Sequence, residues 1–205
     1  MPALLIAIVG AESTGKSALA QALALSLAEA TGLRCAAVPE VLRGWCDAAG
    51  RTPQSHEQAA IATQQTAAID TAAQSHDLLL CDTTALMTAV YSELLFQDRS
   101  LLAAGLAFHR RCDLTLLTAV DLPWVADGLQ RDGPQVRGPV DAAIRRTPAG
   151  GRARLVGGVR SRPAQDGRRI ECHHAAAAPP QTASCWPAQP TVGTASGVAG
   201  VALGL

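Results

Sequence analysis

The chain has 205 residues, 48% hydrophobic and 17% charged, and its 17 basic and 17 acidic residues cancel to a formal net charge of zero. That length and composition suit one globular domain with a buried core. Zero net charge removes the electrostatic reason to expect a nucleic-acid or membrane-surface partner, and no apolar run reaches membrane-spanning length.

In chain order, Ala3 to Val9 is a continuous apolar run, the pattern of a strand buried on both faces. It has the look of a secretion-signal core but lacks a charged leader and runs straight into Gly10–Ser17, so a strand and a cytoplasmic chain are expected. Ser17 to Ala30 reads as a helix stopped by Gly32, Cys35 to Val38 as a second strand, and Glu40 to Ala49 as a second helix. Thr52-Pro53 opens a long helix towards Ser75, with proline in a position suited to the first turn. Asp77 to Cys81 is a third buried strand, ended by Asp82-Thr83-Thr84. Helices follow at Ala85–Leu95 and Ser100–Arg110, then a fourth strand at Leu114–Thr118. A polar loop, Asp121 to Pro139, leads into a short helix ending near Arg146. Strands alternating with helices predict an α/β fold of three layers, a parallel sheet flanked by helices.

After Thr147 the hydrophobic periodicity stops and proline, arginine and alanine dominate. The domain is therefore set at residues 1–146 and a low-complexity tail at 147–205, in which only Ala153 to Val156 has strand character. Disorder is one reading of this tail; a reading frame that slipped near Thr147 is the other. The six cysteines form no CxxC pair and read as free thiols. Cys172-His173-His174 with Cys185 fits no standard zinc spacing.

Gly10-Ala11-Glu12-Ser13-Thr14-Gly15-Lys16-Ser17 matches G-x-x-x-x-G-K-[ST] between a buried strand and a helix, the context a phosphate-binding loop requires. Its glycines let backbone N–H groups turn towards phosphate oxygens, and the following helix adds its positive dipole end. Lys16 is expected to reach the β- and γ-phosphates of ATP and Ser17 to ligate Mg²⁺. Lys16 is also the only lysine of the chain, against sixteen arginines. A compact ammonium does there what a planar guanidinium cannot.

Ligands of a parallel sheet gather beyond the carboxyl ends of its strands. Glu40 and Arg43 follow the second strand three residues apart, on one helical face, as a grip for a polar substrate or as an exposed ion pair. Asp82, closing the third strand, is the candidate for catalytic base or Mg²⁺ orienter, with Thr83 beside it. The loop after the fourth strand carries Arg131 and Arg137, spaced like lid arginines that stabilise charge on a transferring phosphoryl group. Trp124, at the start of that loop, is either a packing residue or a face for a flat cationic substrate.

GAESTGKS, PEVLR, the segment IATQQ, LLLCDTT with MTAVY, and CDLTLLTAVDLPWVADGLQRDGPQVR together resemble the ribosylnicotinamide kinase domain of the NadR type, over roughly the first 146 residues. The resemblance implies a P-loop NTPase fold and phosphoryl transfer from ATP to the 5′-hydroxyl of nicotinamide riboside. It implies that Glu40, Arg43, Asp82 and Asp127 face the riboside, that Trp124 stacks on the pyridinium, and that Arg131 and Arg137 belong to the lid. Members of the family often carry an adenylyltransferase domain ahead of the kinase; with the first strand at Ala3, that activity is not expected here. Another nucleoside or nucleotide kinase, or a non-catalytic ATP-binding regulatory module, are the alternative readings.

Overall fold

Leu4–Val9 forms β1, and every residue from Leu5 to Val9 is buried, because helices cover both faces of the sheet it centres. The computed structural model describes residues 2–125 and 133–147, with the backbone of 155–160 and 171–172. After β1 come α1 (Lys16–Thr31), β2 (Cys35–Val38), α2 (Val41–Ala49), α3 (Gln58–Ala72) and β3 (Leu78–Asp82). Then follow α4 (Ala85–Phe96), α5 (Leu102–His109), β4 (Leu114–Thr118), α6 (Arg137–Arg146), β5 (Leu155–Arg160) and β6 (Glu171–Cys172).

Among the described residues the strand order is β2-β3-β1-β4-β5-β6, parallel from β2 to β5 with β6 antiparallel at the edge. One face of the sheet packs on α1 through Ile6, Ile8, Leu19, Leu27, Leu78 and Leu80. The other packs on α3 to α6 through Val9, Ile69, Leu79, Met87, Phe108, Val140 and Ile144. Each fully buried Leu or Ile contributes about 1.5–3 kcal/mol over exposure. This is the three-layer α/β arrangement, a parallel sheet flanked by helices, that the alternation of elements predicts.

Two ties fix the strand entries. Asp113 Oδ2 accepts the Leu5 N–H at 2.9 Å, joining the start of β4 to β1. Asp77 accepts the Arg34 backbone N–H at 2.9 Å and pairs with its guanidinium at 2.7 Å, joining the loop before β2 to the start of β3. Burial pushes the thiols of Cys81 and Cys112 up to about 12, so they sit in the core as unreactive apolar groups.

The elements depart from the sequence reading in two places besides the start of α6, which takes in Arg137 to Pro139 of the predicted loop. The long helix from Thr52 is shorter: a 3₁₀ turn at Ser55–Glu57 precedes α3, and Glu57 Oε2 accepts the Gln54 N–H at 2.8 Å. Pro53 thus lies outside the helix, in the approach to it. The sheet also continues past residue 146. β5 pairs with β4 from Thr115↔Leu155 to Leu117↔Gly157, then skips to Thr118↔Val159. The glycines of LVGGVR weaken its strand signal, and the skipped residue, Gly158, is where a bulge is cheapest. Residues 148–154, 161–170 and 173–205, most of the predicted tail, lie outside the described residues.

Candidate active site

The turn between β1 and α1 is shaped by three residues of positive φ: Gly10 at 153°, Ser13 at 53° and Gly15 at 79°. Gly10 has a second reason to lack a side chain. A Cβ there would stand 2.0 Å from Thr118 Oγ1. Thr118, buried at the end of β4, is fixed by a 3.2 Å bond to Val9 O and a 2.6 Å contact with Thr14 Oγ1, which itself donates to Ala11 O at 2.8 Å. Two buried hydroxyls and the two carbonyls they donate to therefore set the curvature of the loop before any ligand arrives. Ser13, Thr14, Gly15, Lys16, Ser17 and Ala18 line a concave site of about 280 Å³ at the N-terminus of α1, together with Glu40 and Arg43. Lys16 Nζ donates to Ala11 O at 2.8 Å.

β3 lies directly beside β1, with Ile8 opposite Asp82. Asp82 is 4% exposed and its Oδ1 has no hydrogen-bond partner among the described residues. Thr83 follows with φ of 69°, a region a β-branched residue enters only under strain of about 1–3 kcal/mol, and its N–H is held by Ile8 O at 3.1 Å. Strain of this kind persists where the surroundings over-determine it, and here the DTT turn is clamped onto the strand that carries the phosphate loop. Thr84 Oγ1 and Thr115 Oγ1 lie 3.5 and 3.0 Å from the two ring nitrogens of buried His109, whose pKa burial lowers.

A larger cavity, about 560 Å³, opens from the phosphate loop towards α2, α3 and α4. Gly10, Glu12, Ser13 and Lys16 form one end, with Glu40, Arg43 and Thr83 beside them. Met87, Tyr91, Leu95, Phe96 and Ile61 supply apolar walls, and Arg51, Gln54 and Gln58 close the far end. Glu40 and Arg43 owe their place to Gln65. Its amide is 2% exposed residue-wide, accepts the Val41 N–H at 2.8 Å and donates to Pro39 O at 3.3 Å. Both bonds flank Glu40, so α3 pins the turn that presents it. The Arg51 guanidinium makes two 2.7 Å bonds to Glu57 and sits 5.1 Å over the Trp45 ring. The pairing holds the Glu57 carboxyl down at about 2.

The structure thus brings together Gly10, Glu12 to Ser17, Glu40, Arg43 and Thr83 along the two cavities, with Asp82 beside Thr83 at the end of β3 but in the lining of neither. The other candidates stand apart. Trp124 is half-buried in the loop after β4, its Nε1 has no partner among the described residues, and it walls neither cavity. The strand that leads to it, β4, lies on the opposite side of β1 from β3. Val125, next to Trp124, is latched to the phosphate loop: Ser13 Oγ donates to Val125 O at 2.9 Å and accepts the Val125 N–H at 3.3 Å. Arg137 occupies the first turn of α6 rather than a loop, 7% exposed, with Nε and Nη2 unpartnered among the described residues. A cation there opposes the helix dipole, so the helix does not account for it. Asp127 and Arg131 lie outside the described residues, as do His173, His174 and Cys185. Among the described residues there is no cluster of His, Cys, Asp and Glu suited to a metal, and no helix is long and apolar enough to cross a membrane. Sequence reasoning missed Thr118, Gln65, Gln58 and Arg51. A threonine ending a buried strand and glutamines seven apart on a helix were the available signals.

A family model described as an AAA domain matches residues 5–154. The chain belongs to this AAA domain family. No curated protein matches the sequence. Among solved structures, the fold is similar to that of the NadR protein in complex with NR, with a TM-score of 0.58 and 19% identity over 81% of this chain. The chain spans 47% of that protein's length. It is also similar to thymidylate kinase from Ehrlichia chaffeensis, with a TM-score of 0.52 and 14% identity, covering 82% of this chain and 92% of that one. At these identities the likeness is one of fold, a P-loop kinase fold.

Proposed function

We propose that the protein is a small-molecule kinase that transfers the γ-phosphoryl group of ATP to the 5′-hydroxyl of a nucleoside, nicotinamide riboside giving nicotinamide mononucleotide. The observation that carries the reading is the continuity of the two cavities. Ser13, Lys16, Glu40 and Arg43 line both, so a donor phosphate and an acceptor hydroxyl would meet between them. The partly apolar far part of the larger cavity suits a planar base.

The residues present fit a nucleotide with magnesium: the loop's curvature is built without a ligand, and buried Asp82 leaves an oxygen unpartnered beside it. Ser17 and Asp82 would hold Mg²⁺, which when bound neutralises charge on the phosphate oxygens. Lys16 exchanges the neutral carbonyl of Ala11 for β- and γ-phosphate oxygens, a stronger charge-assisted bond. Glu40 and Arg43 orient the acceptor, and Asp82 or Glu40 accepts the hydroxyl proton as the new O–P bond forms and the bond to the β-phosphate oxygen breaks. Arg131 and Arg137 would belong to a lid over the donor, Asp127 would face the riboside, and Trp124 would stack on the base. The fold's likeness to the NadR structure and the resemblance in DTT and PWVxDGxxR support this choice of acceptor.

Arg43 in the cavity favours a second reading, a nucleoside monophosphate as acceptor. Incubation with ATP, Mg²⁺ and a panel of nucleosides and nucleoside monophosphates, followed by product analysis, decides. Phosphorylation of nicotinamide riboside alone supports the first reading, transfer to a monophosphate the second. ATP binding without transfer to any member indicates a regulatory ATP-binding module. Lys16→Ala should abolish product in either enzyme case.

A further inference from the structure

α3 presents Gln58, Ile61 and Gln65 to the larger cavity at helical spacing, 4%, 1% and 2% exposed. A buried amide is costly unless its donors and acceptor are satisfied. Gln65 satisfies its own on Pro39 and Val41. The Gln58 side chain makes no hydrogen bond among the described residues; the residue is 4% exposed and lines the cavity, and its carboxamide is not among the fully buried unpartnered groups, so it stays open to what fills the cavity. Two helical turns, about 10 Å, separate it from the Gln65 end where Glu40 sits. That is about the length of one nucleoside. The neighbouring charges are already engaged, since both terminal nitrogens of Arg51 bond to Glu57. Gln58, with Thr52 and Gln54 beside it in the lining, is thus an uncharged polar group at the far end that can address a ligand, with Ile61 one turn on as an apolar wall.

We propose that Gln58 determines acceptor specificity: its carboxamide pairs with a planar base that carries a hydrogen-bond donor and acceptor side by side, as a primary carboxamide or the amide-like edge of a nucleobase does. An amide offers one donor and one acceptor in a plane, so it matches such an edge with two parallel bonds. A site of this kind rejects an isostere lacking the group, because its own buried amide is then left unpaired. The inference rests on the reading of this cavity as the acceptor site of a kinase.

The test compares matched acceptors on the full chain: nicotinamide riboside with 3-acetylpyridine riboside, where methyl replaces the amino group, and adenosine with purine riboside, where hydrogen does. For the pair that is turned over, the wild type should favour the amino-bearing member in kcat/KM by roughly ten- to hundred-fold, the effect of one or two buried hydrogen bonds. Gln58→Met should bring that ratio close to one and leave KM for ATP unchanged. Gln58→Glu, an isostere that keeps the acceptor facing the amino group and loses the donor, should retain much of the ratio, and Gln58→Ala serves in place of Gln58→Met if that variant melts. A ratio that survives Gln58→Met or Gln58→Ala overturns the proposal and leaves the kinase standing. A chain that phosphorylates no nucleoside overturns the acceptor-site reading and the proposal with it.

Discussion

One methyl group added at Gly10 tests the architecture of the phosphate loop. In Gly10→Ala the new Cβ would lie 2.0 Å from Thr118 Oγ1 and 3.2 Å from Thr14 Oγ1. Thr118 is fully buried and cannot turn aside without giving up its bond to Val9 O and its contact with Thr14 Oγ1. An orphaned buried hydroxyl costs about 1–3 kcal/mol. Alanine at the Gly10 φ of 153° adds about 1–3 kcal/mol of backbone strain. The single substitution should therefore destabilise by about 2–6 kcal/mol, a large share of a typical domain's stability. Thr118→Ala removes the obstructing oxygen, leaving Thr118 Cβ 3.3 Å from the new methyl, which a shift of a few tenths of an ångström accommodates. Gly10→Ala with Thr118→Ala should then retain the backbone strain but not the clash. Urea unfolding of the four proteins gives the coupling. The double variant should be more stable than the sum of the singles by about 1–3 kcal/mol. Additivity to within about 0.5 kcal/mol refutes the claim that Thr118 dictates glycine at position 10.

Asp82→Asn keeps the shape of the carboxylate and should spare most ATP affinity while lowering kcat by about a hundred-fold or more; turnover at the wild-type rate dismisses its role. Gln65→Leu strands the Val41 N–H and Pro39 C=O. A loss of about 1–3 kcal/mol, at about 2–4 °C of Tm per kcal/mol, should accompany a raised acceptor KM with ATP KM unmoved. An unchanged melting curve counts against the strut. Trp124→Ala should raise KM for the riboside more than for ATP, and equal changes mean that it only packs. In acid, Glu57 and Asp77 act together. Their pKa values are lowered to about 2 from ordinary values of 4.5 and 3.8, chiefly by bonds to Arg51 and Arg34. Their stabilisation is complete above those ordinary values and is lost as pH falls through about 2. Glu57→Gln with Asp77→Asn should flatten stability against pH in that window, and an undiminished slope would place the acid sensitivity elsewhere.

The frame of the site was legible because it rests on local signals. A buried apolar strand, glycines at fixed offsets and a helix start identify the phosphate loop, and an apolar run ending in Asp82 identifies its neighbour. What was not legible depends on distance in the chain. Thr118 acts on Gly10 across the sheet, and no spacing within either segment records that contact. Gln65 reads as a polar residue on a helix until its amide is seen on both sides of Glu40. β5 was blurred for another reason, since Gly157 and Gly158 dilute the strand pattern that its pairing with β4 then supplies. Arg137 was found by sequence but placed in a loop. Pro139 does not prevent a helix there because it falls in the first turn, where its missing N–H has no partner to lose.

Lys16 lies where the two cavities join, and no other side chain of the protein ends in a primary amine. An acylating reagent therefore has one side-chain target besides the α-amino terminus. The mass added to the peptide that contains Lys16, with and without a candidate nucleotide, would report occupancy directly, with no engineered tag or reporter.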